Sequence, residues 1–180
     1  MKLEKTKIDG LVIIHPDIRY DDRGYFFESY QKEKLKDLGI VADFTQDNES
    51  MSMKGVLRGL HLQAPPFAQG KLVRVVKGSV LDVAVDLRKN STTYGVWESV
   101  VLSDKNKLML MIPEGFAHGF LVLEDFTIFQ YKCTNYYNKE SERGIIWNDP
   151  DLNIEWGIEV PVVSEKDLKG LLFKEFSSPF

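Results

Sequence analysis

The stretch Gln46–Val76, QDNESMSMKGVLRGLHLQAPPFAQGKLVRVV, holds one histidine, His61, between Arg58 and Lys71 in a glycine-punctuated, strand-forming run. An imidazole is a general base near neutral pH, and fixed cations beside it can hold a developing oxyanion. Together they suit removal of a proton from a carbon next to a carbonyl, the cation stabilising the enolate oxygen. Such a site still needs an acid, a group that orients the histidine, and a handle for the substrate.

The chain has three histidines, and two of them lie beside glycine on strand-forming sequence: Gly59-Leu60-His61 and His118-Gly119. Glycine inside a strand often marks a bulge or the close approach of another group. Strict alternation puts Arg58 and His61 on opposite faces, whereas a bulge at Gly59 brings them to the same side. A single strand histidine is more often a satisfied core residue than a catalyst. His61 and His118 together with Arg58, Lys71 and Asp82 on apolar strands are harder to explain that way, because an unpaired buried charge costs several kcal/mol. They imply a polar cavity. A metal is the competing reading. Metal-binding double-stranded β-helices present a His-x-His pair, but His61-Leu62-Gln63 has no partner histidine. That leaves the ligand set short for zinc or iron, so no metal and no cofactor are expected.

Length and composition set the frame. The 180 residues fit one domain, 1–180, able to bury a single core; hydrophobic residues are 43% and aromatics 12%, an ordinary globular mixture. The net charge of −4 comes without a basic block, which argues against nucleic acid but permits one anionic small molecule. The lone cysteine, Cys133, rules out a disulfide framework and reads as a small buried hydrophobe on a strand. No apolar run approaches the ~20 residues of a membrane span. The N-terminus MKLEKTKIDG has no signal-peptide core, so a cytoplasmic protein is expected.

Around the central stretch the chain reads as β structure. Residues 11–30 suggest strand, turn and strand, with Asp22-Arg23-Gly24 at the turn and His15 structural or exposed. QKEKLKDLG (31–39) is a short helix with Leu35 and Leu38 on one face and Gly39 as its stop. Residues 44–52 read as polar and irregular, leaving Gln46, Asp47 and Asn48 without a periodic role. Segments 56–63, 71–78, 79–88, 97–103, 107–113, 116–124 and 127–137 are short, bounded by Gly, Pro, Asn or Ser, and predict an antiparallel sandwich or barrel. Val80, Asp82, Ala84 and Asp86 share one face of 79–88, and Leu81, Val83, Val85 and Leu87 the other, so both faces should be covered. After Trp147 come an Asp-Pro turn, a tryptophan strand and a short helix near Ser164, for which Asp167 reads as part of an approximate capping box.

QDNESMSMKGVLRGLHLQAPPFAQGKLVRVVKGSVLDVAVDLRKNSTTYG, IPEGFAHGFLVL, YKCTNYYNKESERGIIWNDPDLNIEW and SEKD together resemble the dTDP-4-dehydrorhamnose 3,5-epimerase family of the cupin superfamily over nearly the whole chain. The resemblance implies an all-β antiparallel jelly-roll (cupin) barrel with short peripheral helices, a helical tail at 160–180, and a homodimer whose N-terminal strands add to the partner's sheet. It implies that His61 is the base, Asp167 the carboxylate that orients it, Tyr131 the proton donor and Lys71 the cation beside the C4 carbonyl oxygen. Arg23, Glu28, Gln46, Asn48, Arg58, His118, Glu142 and Lys166 fall on substrate-contacting positions, Tyr137 on an aromatic that stacks on thymine, and Phe26 on a further lining residue. One departure is Gly157 after Trp156, where many relatives carry proline.

The chemistry agrees with this resemblance. In a 4-keto sugar both C3 and C5 lie alpha to the carbonyl, so one base and one enolate stabiliser serve both carbons. Inversion also needs an acid on the opposite face, and a tyrosine is protonated at neutral pH. Phe129, Tyr131 and Cys133 share one strand face, which allows an inward Tyr131. Without the resemblance, Tyr131 reads as an aromatic packing residue. Four readings stand at this point: a cofactor-free epimerase of dTDP-4-dehydro-6-deoxy-D-glucose giving dTDP-4-dehydro-L-rhamnose; a C3-only or C5-only epimerase or ketoisomerase; a cupin that only binds a nucleotide sugar; and a metal-dependent oxygenase.

Overall fold

The computed structural model describes Met1–Phe180. The strands are β1 (Lys2–Lys5), β2 (Val12–His15), β3 (Arg19–Asp21), β4 (Gly24–Phe26), β5 (Gln46–Ser52), β6 (Leu57–Gln63), β7 (Lys71–Lys77) and β8 (Ser79–Asp86). They continue with β9 (Trp97–Ser103), β10 (Met109–Ile112), β11 (Phe116–Val122), β12 (Thr127–Cys133) and β13 (Glu142–Gly144). One α-helix, α1 (Lys32–Asp37), and two 3-10 turns, Asp167–Lys169 and Phe173–Glu175, complete the elements. No helix is long and apolar enough to cross a membrane.

The strands form two antiparallel sheets, β1-β2-β10-β7-β12-β5 and β13-β6-β11-β8-β9, with β3-β4 as a separate hairpin. Period-2 alternation assigns the faces. Val80 and Ala84 of β8 pack with Val73, Val75, Phe120 and Phe129 in an apolar layer. Val83, Val85 and Leu87, on the opposite face of β8, pack with Leu57, Leu60, Leu62 and Trp156. Both faces of the five-stranded sheet are therefore covered, as the alternation predicts. A third cluster puts Leu35 of α1 against Leu72, Met109 and Met111, covering the outside of the six-stranded sheet.

The helix matches its signals: Gln31 caps it by accepting from Lys34 N at 2.6 Å, and Gly39 ends it at φ +88. His15 is half-buried on its strand with Nε2 2.7 Å from Glu4 Oε2, and Cys133 is buried on β12.

Other expectations are corrected. Residues 46–52 are not irregular but form β5, paired along its length with β12 from Thr127↔Ser52 to Cys133↔Gln46. Their alternation is real but written in polar residues: Gln46, Asn48, Ser50 and Ser52 are the less exposed set, Asp47, Glu49 and Met51 the exposed one. A hydrophobicity pattern cannot show a strand whose inner face borders a polar cleft. The strand through 127–137 ends at Cys133, and residues 142–144 form a short strand that the sequence reading missed. The tryptophan strand is absent. Trp156 is buried outside any strand, its indole Nε1 donating to Trp147 O at 2.8 Å, so packing rather than sheet pairing holds it. The tail at 160–180 carries only the two 3-10 turns.

At the end of β8 the wholly buried Asp86 accepts from Arg88 N (3.0 Å), Arg88 Nε and Nη2 (both 2.8 Å), Ser91 Oγ (2.5 Å) and Thr93 Oγ1 (2.7 Å). Burial alone would push its carboxyl up; the side-chain hydrogen bonds of Arg88, Ser91 and Thr93 outweigh that and hold it at about 2, against an ordinary 3.8. A carboxylate depressed on folding contributes stability that is present above its unfolded value and lost as pH falls through the folded one. This shift corresponds to about 2 kcal/mol. Asp86→Asn is expected to lose about that much at pH 7 in urea unfolding. The gap to the parent should narrow as pH falls from about 4 towards 2, and a constant gap would exclude the ionised carboxylate as its source.

Candidate active site

Beside the apolar layer, the space between the sheets becomes a cleft of about 520 Å³ lined by Arg58, His61, Lys71, His118, Tyr131, Glu142, Lys166 and Asp167. The central irregularity of β6 makes this possible. His118 pairs with His61 and Phe120 with Arg58, so Gly119 alone faces Gly59 and Leu60. The extra residue is the expected bulge. Leu57, Leu60 and Leu62 keep to the outer core while Arg58 and His61 both line the cleft. Only glycine fits there: at φ +129, a Cβ on Gly59 would stand 2.5 Å from Gly119 Cα and 2.9 Å from His118 O.

His61 Nε2 lies 2.6 Å from Asp167 Oδ1, a partner 106 residues further along the chain. The C-terminal segment is stitched along β6 and β13 by Leu57 N→Val162 O (2.9 Å), Val162 N→Gly55 O (2.8 Å) and Leu171 N→Gly144 O (3.0 Å). Between these ties, Asp167 N donates to Ser164 Oγ at 3.1 Å. Its carboxylate does not turn back to cap the turn but accepts from Gly59 N at 3.2 Å and from His61. The capping-box reading is thus half right: Ser164 caps, and the Asp167 side chain is free for the histidine. Burial works to raise the Asp167 carboxyl, but the hydrogen bond and charge of His61, then Gly59 N–H and Ser164, hold it below the usual carboxylate range.

The Asp167 carboxylate accepts the hydrogen bond of His61 Nε2–H and leaves the Nδ1 lone pair on the open side. His118 repeats the arrangement on the next strand, with Nε2 3.0 Å from both oxygens of Asp82. His61 Nδ1, His118 Nδ1, Lys71 Nζ and the Tyr131 hydroxyl have no partner in the chain, yet no fully buried polar side-chain atom is unpaired. All four therefore open onto the cleft that their residues line. Burial pulls Lys71 below the usual lysine range, with Cys133, Asp82 and Glu142 drawing it back up. Burial also raises the Tyr131 phenol, so it stays protonated and can donate.

An adjoining recess shares His61, Lys71, Tyr131 and Glu142 and adds Gln46, Asn48 and Tyr137. Tyr137 OH donates to Glu142 Oε2 at 2.8 Å, Tyr137 N donates to Gln46 Oε1 at 3.0 Å, and Lys166 pairs with the other Glu142 oxygen. Tyr137 is 52% exposed, leaving its ring free to take a flat partner. Arg58 is held by Ser52 Oγ at 3.1 and 3.2 Å.

Three expected site residues are not brought to this cleft. Arg23 sits at the tip of the β3–β4 hairpin paired with Asp21, Phe26 is 68% exposed, and Glu28 pairs with Lys34. Phe26 and Glu28 border a separate surface recess with Met1, Asp17, Arg19, Phe27 and Lys34. The sequence reading gave no role to Ser52 behind Arg58, and it marked Asp82 only as one of the charges of a polar cavity, without its pairing to His118. Asp82 carried a signal, a carboxylate on the inward apolar face of β8. No three His, Cys, Asp or Glu side chains converge as a metal ligand set.

A base held by a carboxylate, facing a protonated phenol and a desolvated ammonium, is the equipment of a proton-transfer isomerase. Residues 5–175 match the family profile described as dTDP-4-dehydrorhamnose 3,5-epimerase, and the chain belongs to that family. It is 54% identical to the dTDP-4-dehydrorhamnose 3,5-epimerase of Methanothermobacter thermautotrophicus, over 91% of this chain and 89% of that one. It is 52% identical to the enzyme of the same name from Shigella flexneri, over 96% of both. Among solved structures it superposes at TM-score 0.94 on the dTDP-6-deoxy-D-glucose-3,5-epimerase of Legionella pneumophila Philadelphia 1, in complex with dTDP-4-keto-L-rhamnose. That match has 49% identity over 98% of this chain and 94% of that one.

The bulge can be tested by stability. Gly24 has a similar φ of +125 but nothing within 4 Å of an added Cβ. Gly59→Ala is expected to destabilise by about 1–3 kcal/mol more than Gly24→Ala in thermal unfolding. Equal losses would mean that the close approach to Gly119 does not constrain the fold.

Proposed function

We propose that this protein is a cofactor-free epimerase that inverts C3 and C5 of dTDP-4-dehydro-6-deoxy-D-glucose to give dTDP-4-dehydro-L-rhamnose. The observation that carries this reading is the convergence of four unpaired groups on one cleft: His61 Nδ1, Lys71 Nζ, the Tyr131 hydroxyl and His118 Nδ1. His61 takes the proton from the carbon alpha to the C4 ketone, and the C–H electron pair passes into an enolate whose oxygen faces the Lys71 ammonium. Tyr131 returns a proton to the opposite face, closing the carbonyl with the centre inverted. His61 is then protonated and Tyr131 ionised, and both reset by exchange with solvent. The same two groups act again at the second carbon, because both carbons flank one carbonyl. Asp167 serves as the positioning carboxylate for His61.

The handles follow the geometry. Arg58 and Lys166 offer charge to the diphosphate, Gln46, Asn48, His118 and Glu142 offer polar contacts, and Tyr137 offers a ring face to thymine. Arg23, Phe26 and Glu28 lie on an exposed hairpin away from this chain's own cleft, which supports a homodimer whose N-terminal strands carry them to the partner's site. The two facing antiparallel sheets support a jelly-roll, cupin-type barrel and a single domain over 1–180. A nucleotide-sugar substrate supports a cytoplasmic location.

The test is incubation with dTDP-4-dehydro-6-deoxy-D-glucose in deuterated water, with deuterium located at each carbon by NMR. Wild-type protein is expected to exchange and invert at both C3 and C5. Inversion at one carbon alone would make it a monoepimerase, and binding without exchange would make it a carrier. His61→Ala is expected to abolish exchange at both carbons while dTDP binding persists, and residual wash-in at C5 would reveal a second base. Tyr131→Phe removes only the hydroxyl, so His61 can still form the enolate and return its proton to the same face. Epimerisation is expected to fall on the order of 10²–10⁴-fold, with C5 exchange falling less. A parallel loss of both would mean that the phenol is needed for enolate formation itself.

A further inference from the structure

Asp82 is a wholly buried carboxylate behind the cleft, on the strand that pairs with β11, and the proton transfers described above do not use it. Its only side-chain partner is His118, whose Nε2 stands 3.0 Å from each of its oxygens. The imidazole is flanked by Phe129 (centroids 6.1 Å, 23° between planes) and Phe120 (6.3 Å, 36°). A buried carboxylate hydrogen-bonded to an imidazole is an expensive way to hold two strands, since well-packed apolar residues do that as well or better. Its place beside reacting groups argues for a role in the site.

We propose that Asp82 is a positioning residue for epimerisation, fixing through His118 which cleft groups accept and which donate hydrogen bonds to the sugar. This rests on the epimerase reading above. The carboxylate can only accept, so His118 Nε2 must carry the proton that lies between them. Burial, Lys71 and His61 all work against the imidazolium form of His118, opposed by the charge and hydrogen bond of Asp82. The neutral ring so fixed presents the Nδ1 lone pair to the cleft. There it accepts from a sugar hydroxyl and cannot compete for the enolate oxygen. The donor to that oxygen is left to Lys71, whose proton the charges of Asp82 and Glu142 favour against the cost of burial. One carboxylate thereby separates an accepting imidazole from a donating ammonium.

The test uses the full chain with dTDP-4-dehydro-6-deoxy-D-glucose as substrate. Asp82→Asn keeps the shape, loses the charge, and lets the amide N–H force His118 into the other tautomer. Its kcat is expected to fall on the order of 10²-fold, while dTDP affinity stays within about 2-fold because no nucleotide handle is touched. The alkaline limb of kcat against pH should move to lower pH. Removing an anion that favours protonated Lys71 lets the proton leave earlier, whereas a merely structural role would leave the limb in place. In a His118→Ala background the same substitution should lower kcat by less than about 3-fold, because the path through the ring is already cut. Independently of any variant, ¹⁵N NMR of the wild-type histidines should show His118 as the Nε2–H tautomer. An Nδ1–H tautomer overturns the proposal, as does Asp82→Asn with kcat within about 3-fold and an unmoved alkaline limb. Additive losses in the double variant overturn the route through His118. Wild-type protein inactive on this substrate would sink the epimerase reading, while the tautomer would still report whether Asp82 orients the ring.

Discussion

The close approach of Gly59 to Gly119 is the constraint on which the site depends. Two backbones cannot pass with a Cβ at 2.5 Å, so both strands require glycine at the crossing. The extra residue that β6 accommodates there re-aims the strand by one position. Without it, the alternation that buries Leu57 and Leu62 would send Arg58 or His61 to the wrong face. The same turn of backbone presents Gly59 N–H to Asp167, so the bulge also holds the carboxylate that holds His61.

The second governing condition is charge balance in a poorly solvated space. Lys71 loses much of its hydration, and such an ammonium stays charged only if anions share the site. Three carboxylates surround the cleft, each with its own assignment: Asp167 to His61, Asp82 to His118, and Glu142 to Tyr137 and Lys166. Two parallel carboxylate–imidazole pairs on neighbouring strands give the enclosure two histidines with defined tautomers. A pair of free imidazoles would instead adjust to each new charge.

The hairpin β3–β4 stands apart from this economy of contacts. It leaves Tyr20, Tyr25 and Phe26 exposed, an unusual set of aromatic surfaces on so short an element. It is fastened to its own chain by cations over rings, Lys107 at 4.2 Å from the Tyr25 centroid and Arg74 at 5.8 Å from Phe27. The hairpin therefore keeps Arg23 and Phe26 on the surface, outside the cleft that the rest of the chain encloses.

Much was legible in the residues alone. The all-β character follows from short runs bounded by turn formers, and the covered sheet from apolar residues on both faces of 79–88. The bulge at Gly59 follows from the need to put Arg58 and His61 on one side. Other features could not be read. β5 hid because its inward residues face a polar cleft, so its alternation carries no hydrophobic signal. Asp167 read first as a cap because a local interaction is visible in sequence, whereas its reach to a histidine 106 residues away is a product of the final packing. The separation of Arg23, Phe26 and Glu28 from the cleft likewise appears only once the chain is folded. Periodicity is a local property and survives in the sequence. Which polar groups meet is set by non-local backbone pairing, and only the tertiary structure decides that.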